Sequence, residues 1–200
     1  MLSPERALIF RITHVANVPW LLRHGLHCRA SPVRDPAFRS IGNPELIEKR
    51  RTRVVPAPPG GSLGEDYVPF YFTPHSPMLL NLKTGYGGVP QTRMADVAIL
   101  AASLRDLAAR DIPFLFTDRH AYLTAAQFYR GLDDLATAVD WSLLRSRDFK
   151  RRPDDPGRFE RYQAEALVHR YSEAQMVPLE TAVRQAGLTT PVVARPAYYF

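Results

Sequence analysis

The segment Gln163-Ala164-Glu165-Ala166-Leu167-Val168 places one carboxylate inside a short apolar run. A run of this composition predicts a β-strand, and burying Glu165 in it removes hydration that a partner or a chemical role must replace. Glu165 is therefore the leading candidate for a functional residue. On its own it is about as consistent with a structural carboxylate paired to a nearby arginine.

A strongly basic stretch precedes this strand. Its proline and glycine residues, Pro153, Pro156 and Gly157, prevent a regular helix through its middle, so we predict a cationic loop. Such a loop can bind phosphate or can be a solvated surface segment, and charge alone does not decide between the two. The basic residues are Arg145, Arg147, Lys150, Arg151, Arg152, Arg158 and Arg161.

Length and composition limit the class of protein. The chain has 200 residues, 46% hydrophobic and 23% charged, and we expect one domain over residues 1–200. The net charge of +6 favours a polyanionic partner. Cys28 is the single cysteine, which fits a reducing cytoplasm. We expect no membrane association, because no signal peptide is evident and no apolar run approaches the roughly 18 residues of a membrane helix.

Several chemistries lack their motifs. The chain has no Walker loop, and Gly85-Tyr86-Gly87-Gly88 lacks the strand–turn–helix context of a dinucleotide fingerprint. The six histidines are scattered without ligand spacing, so we predict no metal site.

The order of elements predicts an α+β protein. Predicted strands cover residues 7–12, 67–72, 97–102 (as a central strand), 114–116, the Glu165 run and 191–200, with a further segment at 178–183. Predicted helices cover residues 18–24 (capped by Asn17 and Gly25), 44–53 (capped by Asn43), 103–110, 122–130 and 135–144.

Polar side chains recur at the ends of these strands. Arg11 and Thr13 lie on the first strand, Tyr71 on the second, and Asp118 to His120 follow the strand at 114–116. Such residues commonly build a ligand site around one cleft. Each also has a structural explanation: Thr13 can cap a turn and Tyr71 can belong to the core.

Six motifs occur in an order and spacing that resemble one family. They are Phe10-Arg11-Ile12-Thr13-His14 with Gly25-Leu26, Ile47-Glu48-Lys49-Arg50-Arg51, Asp66 to Phe72, Ser76-Pro77-Met78-Leu79, Phe116-Thr117-Asp118-Arg119-His120 and Gln163-Ala164-Glu165. Together they resemble the DarT family of DNA ADP-ribosyltransferase toxins, over almost the whole chain. The resemblance implies an ADP-ribosyltransferase-like α+β fold with central split antiparallel β-sheets flanked by helices.

It also implies an activity. The chain would transfer ADP-ribose from NAD to N3 of thymine in single-stranded DNA, in a sequence-dependent manner and without a metal, and would be opposed by a DarG-type macrodomain antitoxin. We expect a monomer. The implied catalytic residues are Glu165 and Arg51. The implied NAD-binding residues are Arg11, Thr13, Gly25, Leu26 and Tyr71, although relatives usually carry histidine where this chain has Arg11. The implied DNA-binding residues are Met78, Arg119, His120, Arg151, Arg152, Arg158 and Arg161.

The chemistry agrees with these roles. Cleaving the nicotinamide glycosidic bond develops positive charge on the ribose, and a fixed carboxylate stabilises that charge. Arginine is too weak an acid to act as a base, but it can stabilise a thymine anion. Alternatives remain open: a guanine-modifying relative, an NAD-using enzyme acting on RNA or protein, and a non-catalytic module that binds single-stranded nucleic acid.

Overall fold

The computed structural model describes residues 2–169 of the chain. Within them, six strands form one sheet in which every pairing is antiparallel: β1 (Leu8–His14), β2 (Tyr67–Tyr71), β3 (Val97–Ser103), β4 (Phe114–Thr117), β5 (Phe128–Tyr129) and β6 (Glu165–His169). Their order across the sheet is β3-β1-β2-β6-β4-β5. The predicted α+β class and antiparallel sheet are confirmed. The strands predicted at 178–183 and 191–200 lie outside the described residues.

The sheet is divided between β1 and β2. Strand β1 pairs with β3 along its whole length, and β2 pairs with β6 from Tyr67↔His169 to Tyr71↔Glu165. Among the described residues, β1 and β2 share a single register pair, Phe10↔Tyr71. This opening corresponds to the split that the family resemblance implies, and it brings the end of β2, the start of β6 and the middle of β1 together.

Seven short α-helices flank the sheet in the described part of the chain. They are α1 (Val18–His24), α2 (Pro44–Thr52), α3 (Pro77–Thr84), α4 (Leu104–Ala109), α5 (Leu135–Ala138), α6 (Trp141–Ser146) and α7 (Arg158–Arg161). Helix α2 begins as its sequence predicts, because Asn43 accepts a hydrogen bond from the N–H of Leu46 at 3.0 Å and Pro44 needs no donor partner. Helix α3 was not predicted, although Ser76 and Pro77 carry the same start signal.

Strand β6 is buried on both faces, and this fixes where Glu165 points. Ala166 and Val168 pack into the main core, together with Phe70, Phe116 and Trp141 on neighbouring elements. Leu167 packs on the other side in a smaller cluster. Alternate strand residues share a face, so Glu165 lies on the side of Leu167, away from the main core.

Three sequence predictions are wrong. The strand predicted as central is the edge strand β3, which pairs only with β1 among the described elements. Residues 122–130 form turns and β5 instead of a helix, because Phe128 and Tyr129 complete the edge of β4 and the N–H of Gln127 donates to Asp118 at 3.0 Å. The helix predicted at 135–144 is divided into α5 and α6, since Asp140 caps a new start.

Candidate active site

The carboxylate of Glu165 is buried at the start of β6, where 1% of the residue is exposed. Arg50, near the end of α2, donates two parallel hydrogen bonds to it, from Nη1 to Oε1 at 3.0 Å and from Nη2 to Oε2 at 2.8 Å. The backbone N–H of Ala121 donates a third, to Oε1 at 3.1 Å. Two parallel hydrogen bonds from a guanidinium are stronger than neutral hydrogen bonds and also restrict geometry. They hold the carboxylate in one orientation.

The surroundings keep this carboxylate ionised. Burial alone raises the pKa of Glu165, but the attraction of Arg50 and His120 and the hydrogen bonds from Arg50 and Ala121 outweigh it, so the pKa lies below its ordinary value. Burial likewise opposes the charge of Arg50, yet Glu165 outweighs it and raises the pKa of the guanidinium. A dehydrated, ionised carboxylate can stabilise positive charge on a bound molecule.

Arg51, the second predicted catalytic residue, does not contact Glu165, and its catalytic role stays a prediction. Neighbours on a helix point about 100° apart, so the two arginines cannot face the same group. Arg51 donates from Nε to Glu65 and from Nη1 to Glu48 at 2.6 Å. Its side chain is 39% exposed, against 11% for Arg50. Arg50 is the arginine that faces Glu165.

The turn at residues 61–66 fixes the end of α2 that carries Arg50. Ser62 Oγ donates to the carbonyl of Arg51 at 2.5 Å, and the N–H of Leu63 donates to the carbonyl of Arg53 at 2.8 Å. Gly64 passes so close that a Cβ there would lie 2.8 Å from the backbone carbon of Arg50 and the backbone nitrogen of Arg51. A side chain at position 64 would therefore displace the helix end.

His120 lies beside the same carboxylate, with Nε2 3.8 Å from Oε1 of Glu165. Its Nδ1 accepts a hydrogen bond from the N–H of Tyr122 at 3.3 Å, which leaves the proton of the neutral ring on Nε2, facing Glu165. Burial lowers the pKa of His120, and the attraction of Glu165 opposes this only in part. The imidazole is therefore neutral near pH 7. Contact with DNA stays a prediction for this residue.

Arg11 and Tyr71, both predicted to bind NAD, flank the ion pair. Tyr71 is the register partner of Glu165, and burial together with that negative charge raises the pKa of its phenol. Arg11 donates from Nη1 to the carbonyl of Pro69 at 2.8 Å, while its Nε has no hydrogen-bond partner among the described residues. Burial and the nearby Arg50 lower the pKa of Arg11 to about 10. Arg11 thus keeps one buried N–H without a partner among the described residues, and its contact with NAD, like that of Tyr71, stays a prediction.

The other three residues predicted to bind NAD surround α1. Thr13 Oγ1 accepts a hydrogen bond from the Asn17 amide at 3.0 Å, and Gly25 ends the helix with a φ of 82°. Leu26 packs at the margin of the main core. Asn17 does not cap α1 with its side chain, because that amide is used by Thr13 and by the backbone of Arg39. Contact of these residues with NAD stays a prediction.

The predicted DNA-binding loop carries its own counterions. Between residues 145 and 161, four acidic residues accompany the seven basic ones. The cationic character is therefore weaker than the arginines alone suggest, and their contact with DNA stays a prediction. The ion pairs are Arg151 with Glu160 at 3.0 Å, Arg152 with Asp148 at 2.5 Å, Arg158 with Asp148 at 3.4 Å and with Asp155 at 3.7 Å, and Arg161 with Asp155 at 2.9 Å and with Asp140 at 3.5 Å.

The two remaining predicted DNA contacts lie on either side of the site. The hydroxyl of Tyr71 points to Sδ of Met78 at 3.9 Å, which places Met78 beside the sheet opening. Arg119 pairs with Asp118 at 2.9 Å in the turn that leads to His120. Their contact with DNA also stays a prediction.

Two groups in the site carried no individual signal in the sequence. The donor at Ala121 is a backbone N–H, which no residue type encodes. The hydroxyl of Thr117, within a motif quoted for the family, accepts the N–H of Glu165 at 3.2 Å. Arg50 adjoins Arg51 in the quoted helix motif, but residue type does not distinguish the two, because only the helix rotation separates them.

Between residues 2 and 169, no three histidine, cysteine or acidic side chains come together as a potential metal-binding group. No helix in this range combines the length and apolar character needed to cross a bilayer.

Comparison with known proteins now decides the family. The family described as "ssDNA thymidine ADP-ribosyltransferase, DarT" matches residues 10–200. A DNA ADP-ribosyl transferase of Escherichia coli O127:H6 is 47% identical, covering 100% of this chain and 96% of the relative. The chain belongs to the DarT family of DNA ADP-ribosyltransferases. The predicted enzyme class is therefore confirmed.

Solved DarT structures agree with this assignment. DarT of Thermus sp. 2.9 in complex with ADP-ribosylated single-stranded DNA superposes with a TM-score of 0.80 at 31% identity, covering 100% of this chain and 99% of that one. The same enzyme with NAD+ gives a TM-score of 0.72 at 32% identity, over 99% and 100% of the two chains. NAD as the ADP-ribose donor, predicted from the sequence, agrees with that complex.

A DarT relative from Thermosipho africanus is longer. It is a DNA ADP-ribosyl transferase–DNA ADP-ribosyl glycohydrolase fusion protein, 26% identical, and the match covers 98% of this chain and 50% of the fusion.

Proposed function

We propose that this DarT-family enzyme transfers ADP-ribose from NAD to N3 of thymine in single-stranded DNA, in a sequence-dependent manner, releasing nicotinamide. The observation that carries the proposal is the buried Glu165–Arg50 pair at the opening of the sheet, with the N–H of Ala121 on the same carboxylate.

The residues around this opening fit NAD. The dinucleotide carries anionic phosphates and ribose hydroxyls, and the partly unsatisfied guanidinium of Arg11 is complementary to an anion. The carboxylate of Glu165 is complementary to a hydroxyl donor and to positive charge. NAD supplies the ADP-ribosyl group and nicotinamide as the leaving group.

Glu165 acts on the ribose. It accepts a hydrogen bond from a ribose hydroxyl and stabilises the positive charge that develops at C1′ as the bond to nicotinamide breaks and nicotinamide takes the electron pair. The carboxylate is itself buried, and this exclusion of water strengthens the interaction. The new bond forms between C1′ and N3 of thymine, and the N3 proton passes to solvent.

Arg50 takes the role that sequence analysis gave to Arg51. It holds the carboxylate through its two hydrogen bonds and, as the cation nearest to it, stabilises the anionic character of thymine N3. A guanidinium whose pKa is raised cannot serve as the base, which is consistent with a purely electrostatic role.

The biological setting is part of the proposal. Modifying DNA in this way would make the chain a toxin of the bacterial cytoplasm, acting as a monomer. The DarT fusion with a DNA ADP-ribosyl glycohydrolase in Thermosipho africanus supports a DarG-type macrodomain partner that removes the modification.

The test uses NAD and short single-stranded oligonucleotides that differ only in whether thymine or guanine is present, with the product read by mass. A gain of one ADP-ribose on thymine-containing strands alone is the expected result. A gain on guanine alone would transfer the function to a guanine-modifying enzyme. Binding of every strand without a mass gain would leave a non-catalytic binding module.

A further inference from the structure

Thr117 lies where β4 and β6 stop pairing. The last register pair of these strands is Phe116↔Ala166, and no ladder pair follows it at the start of β6. The Thr117 hydroxyl accepts a hydrogen bond from the backbone N–H of Glu165 at 3.2 Å. At Glu165, a side-chain hydroxyl therefore accepts the hydrogen bond that a backbone carbonyl accepts elsewhere in a β-ladder.

The same hydroxyl also fixes the turn after β4. Its single proton is donated to the carbonyl of Arg119 at 2.6 Å, a shorter contact than the 3.4 Å to the carbonyl of Glu165. This turn presents the N–H of Ala121 to Oε1 of Glu165 and places His120 beside that oxygen. One hydroxyl therefore joins the backbone of Glu165 to the turn that orients its carboxylate.

Thr117 itself has no access to a substrate. It is fully buried, and both hydrogen-bonding functions of its hydroxyl are used by the backbone. Any effect on transfer must act through the residues it connects.

We propose that Thr117 is a positioning residue for ADP-ribosyl transfer, whose hydroxyl sets the direction of the Glu165 carboxylate through the turn at residues 117–121. The inference rests on the proposed role of Glu165. Its consequence is that removing the hydroxyl loosens the Ala121 N–H from the carboxylate without removing any group that touches NAD or DNA.

The expected change in the pH–rate profile follows from the charged and titratable groups around Glu165. These are Arg50 on α2, Arg11 on β1, Tyr71 on β2 and His120 in the turn. All four remain when Thr117 loses its hydroxyl, while the hydrogen bond from Ala121, which lowers the pKa of Glu165, weakens. The pKa of Glu165 then rises. Because the ionised carboxylate is the active form, the acid side of the pH–rate profile moves to higher pH.

The experiment compares three variants by kcat, KM for NAD, melting temperature and pH–rate profile. Thr117→Val keeps the shape and removes the hydroxyl, and Thr117→Ser keeps the hydroxyl. Thr73→Val is the matched control, because Thr73 is equally buried and its hydroxyl accepts a backbone N–H from His75 at 3.2 Å.

We expect Thr117→Val to lose about tenfold or more in kcat, a size typical of small misplacements of a catalytic group, with a smaller change in KM and an upward shift of the acid limb. Thr117→Ser restores both. Thr73→Val can lower the melting temperature but leaves the acid limb in place. A Thr117→Val enzyme with the wild-type kcat and acid limb would overturn the inference, as would an equal shift in Thr73→Val.

Glu165→Gln separates this inference from the proposed function. If Glu165→Gln is inactive and Thr117→Val behaves like the wild type, only the positioning role fails. If Glu165→Gln transfers ADP-ribose at the wild-type rate, the proposed function of Glu165 fails first.

Discussion

Two regions of the molecule use the same pairing of arginine with carboxylate in opposite surroundings. In the ion pair of Arg50 with Glu165, 11% and 2% of the side chains are exposed. In the pair of Arg152 with Asp148, the corresponding values are 49% and 29%. Breaking the first pair leaves a charge without water, whereas breaking the second leaves two hydrated ions. The buried pair is thus fixed in place, and the exposed pairs are exchangeable.

This difference assigns separate tasks. A fixed carboxylate suits a reaction in which charge develops at one atom. Exchangeable pairs suit a flexible polyanion, because a DNA phosphate can replace Asp148 or Asp155 as the partner of the loop arginines. In the proposed DNA-binding role of this loop, its carboxylates compete with DNA for the same guanidinium groups.

The largest effect is expected when the two neighbouring arginines of α2 are replaced separately, one in a buried ion pair and one in exposed pairs. Arg50→Met leaves the buried carboxylate of Glu165 without its guanidinium partner. We expect it to abolish transfer and to lower the free energy of unfolding by about 3–5 kcal/mol. Arg51→Met removes only the exposed bonds to Glu48 and Glu65 and should keep activity within about twofold. Single-turnover transfer and urea unfolding measure both. Loss of activity in Arg51→Met with full activity in Arg50→Met would reverse the assignment.

A smaller effect is expected from the turn that supports the buried pair. Gly64→Ala puts a Cβ 2.8 Å from the backbone of Arg50 and Arg51, so the helix end or the turn must move. We expect a cost of about 1–3 kcal/mol in unfolding free energy and reduced kcat. Gly60→Ala is the control, because nothing lies within 4 Å of its added Cβ. Its φ of 79° means that this variant measures backbone strain without a steric contact. Equal kcat in the two variants would show that the contact with α2 does not position Arg50.

A pH dependence of stability should come from His120. The unfolded imidazole binds a proton below about pH 6.5, while burial lowers the pKa of His120 in the folded state. The unfolded state therefore binds more protons in this range, and the free energy of unfolding falls as pH drops below about 6.5. His75 contributes in the same direction.

Unfolding from about pH 7.5 to about pH 5.5 measures this dependence, which should be weaker in His120→Gln than in the wild type. The contribution of Glu165 belongs to a different range. Its lowered pKa provides stability that is lost only as pH falls below about 4.5, the ordinary carboxyl value. A pH dependence that is unchanged in His120→Gln would contradict the buried, neutral state of this histidine.

The smallest effect is expected in the exposed loop. Asp148→Asn releases Arg152 and Arg158 from one counterion and should strengthen binding of single-stranded DNA at about 50 mM salt, with the gain lost at about 200 mM. Asp133→Asn removes the same charge from an exposed site outside the loop and serves as the control. If both variants change affinity equally, the loop arginines hold no special place in DNA binding.

The sequence predicted these two regions unequally, for physical reasons. Glu165 could be found from the sequence because burying a carboxylate in an apolar strand costs free energy, and residue types alone reveal that arrangement. The sequence could not distinguish Arg50 from Arg51, because both residues have the same chemistry. A rotation of about 100° along one helix decides which of them faces Glu165. The counterions of the loop depend on side chains folding back on one another, which spacing alone does not give.

The same limit explains the errors in the fold. Both helices carry local start or stop signals, Gly25 at the end of α1 and Asn43 at the start of α2, and both were predicted within a residue. Strand β5 exists because β4 offers a free edge, so its local helical pattern was overruled by pairing with a distant strand. The position of β3 at the sheet edge is likewise a property of topology, and its apolar run did not reveal it.

The most direct test of the central claim is nicotinamide release by Glu165→Gln in the presence of NAD and a thymine-containing single strand. Glutamine preserves the size of the side chain and removes the negative charge that we propose stabilises the ribose cation. The account predicts release at least about a hundredfold slower than in the wild type, with NAD still bound. Release at the wild-type rate would contradict it.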